Sequence, residues 1–536
     1  MTKEQKYIGG AFLLGITYRL LMSLQGIDNV DMGFCMTFYQ NIFTHPDAMP
    51  FYFNYYLTGL IGGVWQLLFG QFGLLGFRLL ETMTMALAIW LIFIAFRPWL
   101  PSPRVSATAV LLSFLFPSFI VTFHYDTLSF LLMAVSVYAT SRYLQGGSQL
   151  WLTVAGAMIG ISFFARIVNG VLGALVLFPL FWGWRTSPRR GLIAASYYAG
   201  GILTGCLLIL SLMGVLGHLP YFGEAIAEAF GTFGGHETSH TSANLFGVYL
   251  KSYVNIGLQI LVVALLALYF GDTGHLSSKL RMALRVIMLV VLFVLVLTSQ
   301  PYLSAVAICT LMIVITPHPQ PLLFYALACA YLFPFGSDIG IPGIFHWCGG
   351  LLIIPAACCY KKLTSQWQRT VTGLLGLAIA LNMLYKMGVS AYGEDYSRIK
   401  TFTQALPGTL NTLTDADRAE RYRNEVARIR QYAADNNLLL VANQASEIYY
   451  ATGLLPFTGN TQMGTYMGET LIKRLDRQHA CYNRLPLIAF IKRGHYTDDM
   501  EEFRQVLRPW MTKQGYQSVY SDDDLELFTT KILIHE

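Results

Sequence analysis

Long apolar stretches recur along the chain up to about residue 390, and they constrain its fold more than any other feature. Each is about 18 residues or longer, enough to cross the ~30 Å hydrocarbon core of a bilayer as a helix. The composition agrees, since 12% of the residues are charged, against about 25% in a soluble domain. The sequence therefore predicts a polytopic α-helical membrane protein. Its net charge of +6 sits in short loops, which fits membrane topology and not nucleic acid as a partner.

About thirteen transmembrane helices are predicted. They cover residues 7–25, 73–96, 106–123, 126–144, 150–165, 167–184, 191–215, 250–270, 284–299, 302–316, 320–335, 344–360 and 370–390. The first stretch lacks the small-residue cleavage site of a signal peptide, so it is interpreted as a retained span. If the N-terminus is cytoplasmic, fourteen Lys and Arg residues fall in inward loops, and only Arg166 and Lys251 fall in outward loops. This bias supports that threading, and the odd number of spans then puts the C-terminal part outside.

Two segments outside these spans have their own character. Residues 55–70, YYLTGLIGGVWQLLFG, are interrupted by glycines and aromatic at the start, which predicts a helix lying in the outer membrane interface. This helix belongs to the first outward loop, residues 27–72. From residue 393 onwards charged helical segments alternate with apolar strand segments, which predicts a small extracytoplasmic α/β domain over residues 393–536. Residues 1–392 form the transmembrane domain.

Charged residues in or beside the spans are few, and in this threading they fall in the outer half of the membrane. Because charges there are costly, the set predicts one polar cavity that opens outwards. For a single Arg or Lys, the alternative is a side chain that snorkels to the headgroups. Asp126 could instead cap a helix, and the first-loop acids could lie in a solvated turn. The bases are Arg19, Arg78, Arg166 and Lys386, and the acids are Asp28, Asp31, Glu81, Asp126 and Asp338.

A site in which carboxylates lie on the outer side of Arg or Lys side chains suits the transfer of a sugar from a lipid phosphate. An Arg or Lys at headgroup depth binds the donor phosphate and offsets the charge that develops as the glycosidic bond breaks. A carboxylate near the anomeric carbon takes the proton of the attacking hydroxyl. The acidic first loop contains no Lys or Arg, so its carboxylates have no base in the same loop that would weaken them as proton acceptors.

The order of these features resembles the GT-C superfamily of polyprenyl-phosphate-sugar-dependent glycosyltransferases, which includes protein O-mannosyltransferases and aminoarabinose transferases. The resemblance rests on DNVDMGF, the interfacial-helix segment, FHYDTLSF and GISFFARIVNG. It implies a GT-C-like topology, with Asp31 as the first-loop catalytic acid, Asp28 as its fallback and Asp126 as the second acid. The resemblance also implies that Arg166 is the basic residue that binds the donor phosphate. Met32 replaces the second acid that many members carry, and the WWDYG-type motif of oligosaccharyltransferases is absent, which argues against en bloc transfer of a glycan to Asn.

Further residues are candidates for this cavity. Arg78, Arg19 and Lys386 are additional candidates for the donor phosphate, and a divalent cation, Mg²⁺ or Mn²⁺, would be held by Asp31 and Asp126. The candidates that line the cavity are His124, Tyr125, Asp338, His346, His236 and His240.

The predicted function is the transfer of a sugar from a polyprenyl-phosphate donor to a glycan, lipid or protein acceptor, on the outer face of a bacterial inner membrane. One alternative is a transporter or flippase of a lipid-linked glycan, although transporters need polar groups on both sides of the midplane. The other is a membrane zinc protease, because HETSH at residues 236–240 has the HExxH pattern. That pattern needs a stable helix, and here it lies in a Gly-, Ser- and Thr-rich loop.

Overall fold

The computed structural model is mostly helical and has a small mixed β-sheet near its C-terminus. It describes residues 2–24, 26, 31–115, 122–233, 246–257, 277–280, 282–283, 286, 301–314, 316, 318–337, 339–363, 368, 390–391, 394–395, 400–404, 406, 409–433, 436–443, 445–462, 468–492 and 497–530.

Helices make up nearly all of the described chain before residue 363. The α-helices are α1 Lys3–Ser23, α2 Asp31–Asn41, α3 Tyr56–Phe69, α4 Gly73–Phe96, α5 Pro103–Leu115, α6 Tyr125–Leu144, α7 Leu150–Ala165, α8 Leu177–Trp184, α9 Pro188–Val215, α10 Leu219–Phe233, α11 Pro301–Val314, α12 Pro321–Leu332, α13 Gly343–Trp347 and α14 Gly350–Cys359. The 3₁₀ helices are Pro46–Ala48, Pro50–Tyr55, Gly70–Phe72, Arg97–Trp99, Ile167–Val176 and Tyr360–Lys362. Residues 246–257 are also helical.

Membrane character is visible in the described helices. Three helical stretches among them are long and apolar enough to cross a membrane, namely Pro50–Trp99, Ile167–Trp184 and Pro188–Val215. Shorter apolar helices are Pro103–Leu115, Leu150–Ala165, Ala305–Val314 and Pro321–Leu332. These findings confirm the predicted helical membrane protein, while thirteen spans remain a prediction.

The stretch Pro50–Trp99 is not one straight helix. Gly73 has φ = +50°, a backbone conformation that favours glycine, and it separates α3 from α4. The Trp65 indole nitrogen of α3 donates a hydrogen bond to the Gly76 carbonyl oxygen, at 3.0 Å, and so ties the two helices together beyond the turn. The separate helix α3 was predicted from its glycines and aromatic start.

Two apolar helices, α7 and α9, pack with their backbones in contact. A Cβ atom on Gly156 would overlap the Tyr198 carbonyl oxygen, and a Cβ atom on Gly201 would overlap that of Thr153. Gly160 and Gly205 repeat the arrangement four residues later in each helix. Small residues at this spacing let membrane helices approach closely.

The first loop contains a second helix, α2, which the sequence did not predict. Helix α2 packs on the glycine face of α3, where a Cβ atom on Gly59 would overlap the ring of Phe38 and one on Gly62 the ring of Tyr39. Almost every residue of α2 is buried, so its sequence shows no contrast between an apolar and a polar face. Helix formation here depends on tertiary packing, which a local pattern cannot reveal.

The C-terminal region alternates helices and strands. A five-stranded sheet has the order β6-β5-β7-β9-β8, in which β5 is parallel to β6 and β7, and β9 is antiparallel to β7 and β8. The strands are β1 Ser390–Ala391, β2 Glu394–Asp395, β3 Lys400–Thr403, β4 Thr412–Asp415, β5 Leu438–Val441, β6 Leu455–Pro456, β7 Leu487–Ile491, β8 Gln517–Ser521 and β9 Leu525–Thr529. The helices are α15 Ala416–Ala433, α16 Glu447–Thr452, α17 Gly468–Tyr482 and α18 Thr497–Lys513. The domain boundary at residue 393 remains a prediction.

Candidate active site

The most clearly defined polar cluster contains Asp126 and Arg166. Asp126 lies in the first turn of α6, and Arg166 directly follows α7 in an extended conformation. An Nη1 hydrogen of Arg166 is donated to Asp126 Oδ1 at 3.2 Å. Asp126 is 2% exposed and Arg166 5% exposed, so water screens this ion pair weakly. The structure thus joins two residues that the sequence assigned to one cavity.

The guanidinium of Arg166 is fixed by more than its ion pair. It also donates hydrogen bonds to the carbonyl oxygens of Phe333 at 3.1 Å and Phe335 at 3.2 Å, just beyond α12. Its carbon lies 5.7 Å from the ring centroids of both Tyr125 and Phe333. Hydrogen bonds and aromatic faces of this kind offset the cost of burying a cation. Arg166 is therefore a rigid positive charge and not a side chain that snorkels to solvent.

His124 lies next to this ion pair. Its Nδ1 is 2.8 Å from the Thr122 carbonyl oxygen, and because a carbonyl only accepts, Nδ1 is the protonated nitrogen of the neutral ring. Its Nε2 faces Asp126 Oδ2 at 3.7 Å, beyond hydrogen-bond range. The predicted cavity residue His124 is thus buried against the acid, with its orientation fixed by the backbone.

Two half-buried tyrosines, Tyr55 and Tyr125, adjoin this cluster. The rings of Tyr55 and Tyr125 stack with centroids 4.3 Å apart and planes at 18°. Tyr125 precedes Asp126 in the chain, and both rings lie beside Phe34 of α2, one helical turn from Asp31, with centroids 6.1 Å and 6.3 Å away. Asp31 is half-buried and is the first residue of α2, where a carboxylate is favoured by the helix dipole. The structure therefore brings both α2 and Asp126 to the same pair of tyrosines.

Arg19 and Arg78 make different contacts. Arg19 forms an ion pair with Glu81, and each of these side chains is 1% exposed. Arg78 donates hydrogen bonds to the carbonyl oxygens of Ser23 and of Gly26, the latter at 2.6 Å. These contacts fasten the end of α1 to α4. A role of either arginine in binding the donor phosphate remains a prediction, and the observed contacts give both a role in the fold.

The loop after α12 reaches the cluster from another side. His346 lies in α13 and is half-buried, with its ring centroid 6.2 Å from that of Trp347. The neighbouring Cys348 is buried, and the buried Tyr249 packs on Phe335, whose carbonyl oxygen binds Arg166, with ring centroids 5.1 Å apart. The sequence predicted His346 near the cavity but gave no signal for Tyr249 or Cys348. It also missed Tyr55, although the aromatic start of residues 55–70 was visible.

The other candidates lie outside the described residues. They are Asp28, Lys386, Asp338, His236 and His240. The HETSH motif, on which the zinc-protease alternative rests, lies there too.

The residues at the site do not supply a set of metal ligands. In the part of the chain that the structure describes, no three His, Cys, Asp or Glu side chains are close enough to hold one ion. One oxygen of Asp126 already accepts a hydrogen bond from Arg166. The predicted divalent cation remains a prediction, and no chemical step is assigned to it below.

The apolar helices and the charged cluster at their ends define a helical membrane protein with an embedded polar site. Residues 57–213 match the model of the dolichyl-phosphate-mannose-protein mannosyltransferase family. This match includes Asp126 and Arg166, begins after Asp31, and covers less than half of the chain. It confirms the resemblance to GT-C glycosyltransferases and the predicted enzyme class, a glycosyltransferase. A search of curated proteins found no match to the chain.

Proposed function

We propose that the protein transfers a sugar from a polyprenyl-phosphate donor to an acceptor hydroxyl on the outer face of the membrane. The observation that carries the proposal is the fixed, buried Arg166–Asp126 pair beside Tyr125, whose ring packs against Phe34 of α2, the helix that begins at Asp31. The N-terminus lies in the cytoplasm, thirteen helices cross the membrane, and the C-terminal region lies outside. The family whose model matches residues 57–213 is named for a lipid-phosphate mannose donor and a protein acceptor, which supports a donor of that class.

Arg166 binds the donor phosphate in this proposal. A guanidinium has five N–H donors, and among the described residues three of its hydrogen bonds are made, to Asp126, Phe333 and Phe335. In this proposal the other two N–H groups, which make no hydrogen bond to a described residue, bind phosphate oxygens. Because the guanidinium is already fixed, it stabilises the negative charge on the leaving phosphate without first having to reorganise.

Asp31 takes the proton from the acceptor hydroxyl. Asp126 is less suited to this step, since it is almost fully buried and already accepts a hydrogen bond from Arg166. Asp31 is half-buried and begins α2, whose Phe34 packs against Tyr55 and Tyr125. A partly exposed carboxylate on a helix that packs against the same tyrosine as a phosphate-binding arginine suits general-base catalysis.

The test is sugar transfer by the purified protein in proteoliposomes. The donor is a synthetic polyprenyl-phosphate mannose with a radiolabelled sugar, and the readout is release of polyprenyl phosphate with and without a membrane extract as a source of acceptors. We expect extract-dependent release. Movement of the labelled lipid between leaflets without release would support the flippase alternative and contradict the proposal.

A further inference from the structure

The C-terminal region contacts the first loop through the side chain of Tyr52, which is fully buried. The Tyr52 hydroxyl lies 2.6 Å from Asn460 Oδ1 and 2.6 Å from Thr461 Oγ1, and it accepts a hydrogen bond from the Thr461 backbone N–H at 2.9 Å. A phenol has one hydrogen to donate and can accept twice, so these three bonds use its full capacity. Asn460 and Thr461 are fully buried as well.

The turn that binds Tyr52 is itself held in place. Gly459 has φ = +74°, which favours glycine, and a Cβ atom there would crowd Pro50 of the first loop. Arg474 of α17 donates a hydrogen bond from Nε to the Thr458 carbonyl oxygen at 2.8 Å. The same guanidinium lies 3.5 Å from Glu224 of α10. The turn is therefore held by α17 of its own region, and it contacts the first loop at Pro50. Arg474 links the same arrangement to α10.

Helix α2 touches the C-terminal region at a second point. A Cβ atom on Gly33 would overlap the backbone nitrogen of Glu447, at the start of α16. The two backbones meet there without an intervening side chain, two residues away from Asp31. Helix α2, which begins with the proposed base, consequently packs against the C-terminal region near its start and against α3 further along.

Stacked aromatic rings connect Tyr52 to the candidate active site. The ring of Tyr52 lies parallel to that of Phe34, with centroids 5.1 Å apart and planes at 6°. Phe34 in turn lies 6.3 Å from Tyr125 and 6.1 Å from Tyr55. Arg166 lies over the ring of Tyr125. A displacement of Tyr52 would therefore change the packing of Phe34 against Tyr55 and Tyr125.

We infer that the C-terminal region positions helix α2 for catalysis and that Tyr52 is the positioning residue through which it acts, an inference that rests on the proposed function. Arg166 is held by Asp126, Phe333 and Phe335, all of them in the helical part. Because Tyr52→Phe keeps the ring that packs on Phe34, we expect these hydrogen bonds, and with them donor binding, to persist in that variant. Alignment of Asp31 with the bound donor depends on Tyr52, so loosening this contact lowers kcat and leaves the donor KM unchanged.

The experiment compares Tyr52→Phe with Tyr516→Phe in the full chain in proteoliposomes. Tyr52→Phe keeps the stacked ring and removes the hydrogen bonds to the turn, and we expect kcat to fall about 10-fold with the donor KM unchanged, since misalignment of reacting groups by an ångström is costly. Tyr516→Phe removes a hydrogen bond to the Pro486 carbonyl oxygen that lies wholly within the C-terminal region. We expect it to retain wild-type kcat.

A second pair of variants tests the turn from its own side. Thr461→Val removes the hydroxyl that faces Tyr52, whereas Thr461→Ser keeps it. We expect Thr461→Val to lower kcat and Thr461→Ser to retain it. Wild-type kcat in both Tyr52→Phe and Thr461→Val would overturn the inference.

Hydrogen–deuterium exchange separates failure of the inference from failure of the proposed function. If the wild-type protein transfers no sugar, the proposed function is wrong, but the positioning of α2 can still be measured. We expect Tyr52→Phe to raise amide exchange across residues 31–41, and Tyr516→Phe to leave it unchanged. Equal exchange in α2 for the two variants would contradict a positioning role of Tyr52, whatever the activity.

Discussion

Two buried ion pairs in the helical part make an instructive comparison. Arg19–Glu81 joins α1 to α4, and each of its side chains is 1% exposed. Arg166–Asp126 joins the ends of α7 and α6 and is buried to a similar degree, but it adjoins the half-buried Tyr125. Burial of opposite charges therefore does not identify an active site. The feature that distinguishes the second pair is its partly exposed neighbour Tyr125.

The largest effect is expected on stability, at the Arg19–Glu81 ion pair, called the enclosed pair below because both side chains are almost fully buried. Glu81→Gln keeps the shape of the side chain but leaves the Arg19 charge without its carboxylate, so we expect the free energy of unfolding to fall by about 3–5 kcal/mol. The control is Glu4→Gln, which breaks the ion pair between Arg97 and Glu4, with side chains 59% and 37% exposed. An exposed pair contributes about 1 kcal/mol or less. Thermal unfolding in detergent measures both, and equal losses would remove the distinction between enclosed and exposed pairs.

The next largest effect is expected on turnover, when the proposed base Asp31 is changed. Asp31→Asn is nearly isosteric, so the fold should persist while sugar transfer falls at least about 100-fold, the scale of a lost general base. Asp47→Asn, at an exposed position in the same loop, should be nearly silent. Release of polyprenyl phosphate from the labelled donor gives both rates. Wild-type turnover in Asp31→Asn would show that the first loop does not supply the base.

A smaller effect is expected on donor affinity, at Arg166. Arg166→Lys keeps the positive charge but loses the planar set of donors that binds Asp126 and two carbonyl groups together. We expect the dissociation constant of the donor to rise about 10-fold, since one charge-assisted hydrogen bond is lost. Equilibrium binding of the labelled donor to protein in nanodiscs measures it. Arg19→Lys is the comparison, and an equal loss of donor affinity there would mean that the enclosed pair also meets the donor.

Sequence reasoning found the second pair but could not separate it from the first. The motifs FHYDTLSF and GISFFARIVNG singled out Asp126 and Arg166, and the apolar run at residues 73–96 set the length of α4. Arg19 was grouped with Arg166 because both lie at span ends. Its partner Glu81 is 62 positions away in the chain, and only packing of α1 on α4 brings them together. Helix α2 could not be predicted for the same reason, because its burial depends on the glycines of α3 and on contact with α16.

The smallest effect is expected at His124, and it tests whether the second pair acts alone. In His124→Asn, the amide nitrogen can replace Nδ1 as donor to the Thr122 carbonyl oxygen, so only Nε2, beside Asp126, is lost. At 3.7 Å from Asp126 Oδ2, this nitrogen makes no hydrogen bond to the carboxylate. We therefore expect sugar transfer to fall less than about 5-fold, equivalent to roughly 1 kcal/mol. His124→Gln is the matched variant, because its amide extends towards the Nε2 position instead. A loss of about 100-fold in His124→Asn, with activity retained in His124→Gln, would make a polar atom at the Nε2 position, beside Asp126, a third member of the site.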